Sequence, residues 1–206
     1  MRQANRTMTR TMRRVAIGAA LFVLAPWANA AVITYEAALA PEAVGATGSG
    51  YVTVEYDTIA HTLVIDASWT GLSGNTTVAH IHCCTAVPGA GTIGVAVTPG
   101  TLPGFPVGTQ AGSYLSPLFD LTENSPTTVF ATSFVTNFAG GLLANAEEVL
   151  IAGIDAGRAY FNIHTTTFPG GEIRGFLQQV PEPATLAMFG LGLVGLGAVR
   201  WKKQAA

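Results

Sequence analysis

The 206-residue chain has no lysine before position 202, only two cysteines, and charged side chains at just 11% of its positions. Each shortage excludes something. Between Ala31 and Val180 the only basic residues are Arg158 and Arg174, against eleven acidic ones, a net charge of −9. A surface of that sign repels phosphate backbones, so nucleic acid is excluded as a partner. The chain also lacks a G-x-S-x-G elbow, a phosphate-cradling Gly-Lys loop, an H-E-x-x-H helix and any Asp-rich loop with calcium spacing; without these the common nucleophilic, phosphoryl-transfer and zinc-protease chemistries have no carrier. What is abundant is apolar surface, 49% of residues, with 24 Gly and 11 Pro. That balance suits one ordered, loop-rich domain rather than a disordered chain.

The missing positive charge is concentrated at the ends. Five arginines lie within Met1 to Arg14, followed by the apolar run Val15 to Ala25 and by Ala28-Asn29-Ala30, small at both positions a signal peptidase reads. Residues 1–30 therefore read as a secretory signal peptide cleaved between Ala30 and Ala31. The run is shorter than the roughly 20 apolar residues that a membrane-spanning helix needs. Arg13-Arg14 also permits a twin-arginine reading. At the other end, Val180-Pro181-Glu182-Pro183 precedes sixteen uncharged residues, Ala184 to Val199, closed by Arg200-Trp201-Lys202-Lys203. As a helix this run is about 24 Å long at 1.5 Å per residue. It predicts a single C-terminal transmembrane helix with its basic tail in the cytoplasm and the domain outside.

The order of Pro181-Glu182-Pro183, apolar helix and basic cluster resembles the PEP-CTERM sorting signal of Gram-negative bacteria, over residues 180–206. The resemblance implies an inner-membrane-anchored precursor and recognition by an exosortase that removes the tail near Pro181, Glu182 and Pro183. It further implies delivery to the cell surface or extracellular matrix, where extracellular polysaccharide or matrix proteins are the available partners.

Residues 31–179 form the exported domain. Tyr51 to Tyr56 and His61 to Trp69, rich in β-branched and aromatic residues and joined by Asp57 to Ala60, predict a hairpin. Further strands are predicted over Val32–Leu39, Thr76–His82, Tyr114–Leu121, Thr127–Phe134, Arg158–His164 and Glu172–Gln178. So many short strands predict an all-β fold, a Greek-key-like β-sandwich or barrel. Pro88 to Gly112 reads as a long loop with a short strand at Gly94–Val97. One short helix is expected, because Leu142, Leu143, Ala146, Val149, Leu150 and Ile154 keep helical spacing; Glu147 and Glu148 form its wet side and Gly157 its stop.

Two strands carry most of the chemistry. In Thr77-Val78-Ala79-His80-Ile81-His82, period-two alternation puts His80 and His82 on one face. In Ala159-Tyr160-Phe161-Asn162-Ile163-His164 it groups Tyr160, Asn162 and His164 opposite Phe161 and Ile163. Imidazoles two residues apart on a strand converge on one point, so His80, His82 and His164 are a candidate set for Zn or Cu. The competing reading is structural, with the three rings hydrogen-bonding backbone carbonyls and Asn162 to fix loops. His61 fits neither group and reads as a solvated turn residue. Cys83 and Cys84, exported to an oxidising space, suit a vicinal disulfide. Thiolate ligation of a metal beside His80 or His82, or disulfides between chains, are the alternatives. Arg174, one of two bases, is expected to pair with an acid.

Tyr160-Phe161-Asn162-Ile163-His164-Thr165, followed by Pro169-Gly170-Gly171-Glu172-Ile173-Arg174-Gly175, resembles the CHRD domain named for chordin, as does Ala79-His80-Ile81-His82. The resemblance implies an extracellular β-sandwich with no established enzymatic reaction. The sequence departs from it at Cys83-Cys84, where many members have Gly-Pro. Together these features predict a non-catalytic exported cell-surface or matrix protein, with no catalytic residues. The alternatives are a metal-binding or Cu/Zn redox protein using the His/Cys cluster, and an extracellular ligand-binding module.

Overall fold

The computed structural model describes residues 32–125 and 129–181. The expected signal peptide and its Ala30/Ala31 junction, Glu182, Pro183 and the expected transmembrane helix lie outside the described residues. No helix among the described residues is long and apolar enough to cross a membrane.

Strands β1 (Val32–Pro41), β2 (Ser49–Asp57) and β3 (Thr62–Thr70) form an antiparallel meander. Their alternation decides which face is dry. Tyr35, Ala37 and Leu39 of β1, Val52 and Val54 of β2, and Leu63, Ile65 and Trp69 of β3 are buried together, while Glu55, Asp66 and Ser68 face solvent. Asp57 makes the β2–β3 turn, its Oδ1 accepting the N–H groups of Ile59 and Ala60 at 2.9 and 2.8 Å, the local bonding that favours Asp in turns.

The remaining strands are β4 (Thr76–His82), β5 (Val95–Val97), β6 (Gly112–Leu115), β7 (Phe119–Asp120), β8 (Tyr160–Thr165), β9 (Ile173–Phe176) and β10 (Gln178–Gln179). They continue the sheet in the order β5-β4-β8-β9-β1-β2-β3-β6, with β7 on β3 and β10 on β1. Strand β1 is the shared member: Tyr35 and Glu36 pair with β10, and Ala40 and Pro41 pair with β9. The expected β fold is therefore one curled antiparallel sheet, a half-barrel, because a ten-residue β1 serves both halves.

Two helices accompany it. Helix α2 (Ala146–Asp155), entered through a 3-10 turn at Leu143–Asn145, buries Ala146, Leu150, Gly153 and Ile154. Tyr35 Oη donates to Asp155 at 2.7 Å and Tyr56 Oη to Glu147 at 2.6 Å, which holds α2 against the meander. Gly157, at φ +64°, ends it with an N–H bond to Ile154 O. Helix α1 (Thr132–Phe138) takes the last three residues of the strand expected over 127–134, whose first two lie outside the described residues. Phe130 makes one bridge to Val97 before the chain turns helical, and Phe130, Phe134 and Phe138 stack at four-residue spacing. That spacing is a helical signal which the β-branched run concealed. The strand expected over 114–121 is likewise split, because Pro117 has no N–H for the ladder.

Candidate metal centre

Strands β4 and β8 pair antiparallel with His80 opposite Asn162 and Val78 opposite His164. Their apolar side chains, Ala79, Ile81, Phe161 and Ile163, fill the core. The histidine face is covered too, so that every residue of β8 is buried. Its cover is the Gly/Pro-rich loop predicted from sequence and the β8–β9 turn. Nε2 of His80 bonds Gly100 O at 2.8 Å, Nδ1 of His82 bonds Ile93 O at 2.7 Å, and Nδ1 of His164 bonds Pro169 O at 2.7 Å. A carbonyl only accepts, so each of these nitrogens carries its ring's proton.

The other three ring nitrogens, Nδ1 of His80 and Nε2 of His82 and His164, are buried without a partner. The three histidines each offer a ligand atom within 4.8 Å of the other two. Burial pushes His80 down to about 4, with His164 and His82 adding to it against the bond to Gly100; burial also lowers His82. Near neutral pH these two rings are uncharged and present lone pairs. Three imidazoles tautomerically locked by backbone carbonyls, each with one buried nitrogen left over, match the donor set that a three-histidine Zn or Cu site would require. A tetrahedral ion with N ligands at 2.0–2.1 Å would need them about 3.3–3.4 Å apart. The carbonyl bonds of the structural reading and the free nitrogens of the metal reading thus coexist, on opposite sides of the same rings.

A second layer supports the rings. Tyr160 stacks on His82, with centroids 4.7 Å apart and planes within 2° of parallel, and its hydroxyl reaches Ile93 O at 3.3 Å. Arg174 Cζ lies over Tyr160 at 5.1 Å, and its Nε stands 3.4 Å from Glu42 Oε2. Glu42 is thus the acid Arg174 pairs with, and its Oε1 accepts from Nδ2 of Asn162 at 3.1 Å. Nothing in the sequence pattern singled out Glu42, since its role depends on β1 ending beside β9. Glu172, fully buried, accepts from Thr165 Oγ1 and Ser73 N at 2.6 Å and from Gly74 N at 3.3 Å. Burial alone would raise its carboxyl, but these bonds outweigh it and hold the group below the usual range.

Cys83 and Cys84 form a disulfide packed on Gly153 of α2, and neither joins the histidine cluster. Bonded sulfurs are not thiolate ligands. His61 is not merely a solvated turn residue: its Nδ1 stands 2.9 Å from Oε1 of Glu147, so Glu147 is an anchor for β2 and the turn rather than part of a wet face. Glu148 remains exposed. Of the sorting residues only Pro181 is described.

Fold and site together define a mostly β domain, a curled half-barrel sheet with two short helices, that carries a buried cluster of three histidines. The chain belongs to the CHRD domain family, whose pattern matches residues 30–177. Residues 179–203 match the PEP-CTERM protein-sorting motif, which marks an exported, membrane-anchored precursor sorted to the cell surface by an exosortase. No curated protein and no solved structure matches the chain.

Proposed function

We propose that this chain is a metal-holding surface domain, exported, trimmed by an exosortase and retained at the cell surface or in the extracellular matrix of a Gram-negative cell. His80, His82 and His164 hold one Zn or Cu ion. The observation that carries the reading is the set of three buried, unpartnered ring nitrogens facing one another. Buried polar atoms are otherwise paired in proteins, so an unpaired cluster asks for an occupant, and convergent imidazole lone pairs ask for a cation. The acidic, lysine-free surface adds a field that attracts cations. The reading assigns the ion a structural or ligand-binding role and no turnover.

The test is elemental analysis of the full chain expressed with its own export signals and recovered from the producing cell. About one Zn or Cu per chain is expected, falling at least tenfold in His164→Ala and His80→Ala. Removing the ion should lower the melting temperature of wild type and leave the variants unmoved, since only a ligand bound to the native state stabilises it. A folded wild-type protein that retains under about a tenth of an ion per chain after exposure to both metals refutes the site.

A further inference from the structure

Five buried side-chain polar atoms among the described residues lack a hydrogen-bond partner, and four lie together: the three ring nitrogens and Oδ1 of Asn162. Asn162 is 1% exposed, sits opposite His80 across the β4–β8 ladder and precedes His164 by two residues, so its carboxamide shares their face. Its orientation is fixed from behind. Nδ2 donates to Oε1 of Glu42, whose other oxygen faces Arg174, and Arg174 is tied in turn to Gly91 O at 2.8 Å. Gly171 makes this possible, since a Cβ there would collide with Glu42 Oε1 and stand 2.9 Å from Asn162 Nδ2. With the amide nitrogen committed to Glu42, the oxygen is left to face the histidines. His82 already spends its single proton on Ile93 O, so its Nε2, like Oδ1 of Asn162, is a buried acceptor with no donor.

A bare cation satisfies the three nitrogens but not the amide oxygen, which is a poor ligand for Zn or Cu beside imidazole and a good acceptor of a hydrogen bond. Three protein ligands also leave a fourth position open. Resting on the metal reading above, we infer that Asn162 Oδ1 selects the occupant of that fourth position, accepting a hydrogen bond from a protic ligand such as water and disfavouring aprotic anions. Glu42 and Arg174 are the positioning residues that keep the amide from flipping. The site thus takes small hydrogen-bond-donating molecules on its ion, a ligand class set by one carboxamide.

The probe is azide, titrated into the Co(II)-loaded full chain and followed by the visible d–d bands. Replacing Asn162 by Ala removes the bond that holds the competing water, a charge-assisted bond worth about a tenfold change in equilibrium, so azide should bind about tenfold tighter. Glu42→Ala frees the amide to flip, so it should shift azide affinity, measured per bound cobalt, in the same direction by a smaller factor. Azide affinity unchanged within about twofold in both variants overturns the inference. So does loss of cobalt affinity beyond about a hundredfold in Asn162→Ala, which would make the amide oxygen a direct ligand. If wild type binds no cobalt at all, the metal site itself fails and this inference with it. If it binds cobalt and both variants bind azide as wild type does, the metal site stands and only the role of Asn162 falls.

Discussion

Replacing Glu172 by Gln removes one charge from the interior without changing its shape, and the structure sets the size of the effect. The carboxylate is fully buried and receives three hydrogen bonds, from Thr165 Oγ1, Ser73 N and Gly74 N. Hydrogen bonds to a charged acceptor contribute about 1.5–3 kcal/mol each and neutral ones about 0.5–1.5. A Gln side chain keeps bonds only on its carbonyl oxygen, weaker than before, and turns its amide nitrogen toward a donor that is then left unpaired. The expected loss is about 3 kcal/mol, or roughly 6–12 °C in melting temperature for a domain of this size. The pH dependence gives the sharper test. Because the folded carboxyl is held below its ordinary value of 4.5, its contribution is fully present above that value and is lost as pH falls through the folded one. Urea or thermal unfolding of the processed protein, run from neutral pH to about pH 3, should show the gap between wild type and Glu172→Gln constant at first and then closing in acid. A gap under about 0.5 kcal/mol at neutral pH, or one that persists undiminished at low pH, refutes the reasoning.

Gly153→Ala should destabilise the domain by roughly 1–2 kcal/mol, although Ala is the better helix former by about 1 kcal/mol, because its Cβ would collide with both sulfurs of the Cys83–Cys84 bond. A variant melting above wild type would show that the helix yields. Changing Pro181-Glu182-Pro183 to alanines should leave an uncleaved precursor in the inner membrane, whereas deleting residues 184–206 should release soluble exported protein. Immunoblots of fractionated cells that find identical processing in the alanine variant and wild type would reject exosortase sorting.

What the sequence determined by itself was whatever depends on local pattern. The sorting address was legible because targeting is read from linear order: Pro181-Glu182-Pro183, an apolar run and a basic cluster. The meander was legible because period-two burial writes itself into Tyr51 to Trp69, and α2 because its apolar residues recur at helical spacing. Alternation even placed His80, His82, Asn162 and His164 on matching faces of two strands far apart in the chain. Tertiary structure alone decided the rest. That β4 pairs β8, and so makes one cluster of those faces, depends on long-range register. That each ring spends one nitrogen on Gly100, Ile93 or Pro169 depends on loops folding over the sheet, and no periodicity in a Gly/Pro-rich stretch encodes which carbonyl arrives where. Helix α1 was hidden because aromatic and β-branched residues at four-residue spacing fit either element until packing chooses. Glu42 was invisible for the same kind of reason: an acid at the end of β1 acquires meaning only when Asn162 and Arg174 are brought beside it by strands that follow more than a hundred residues later.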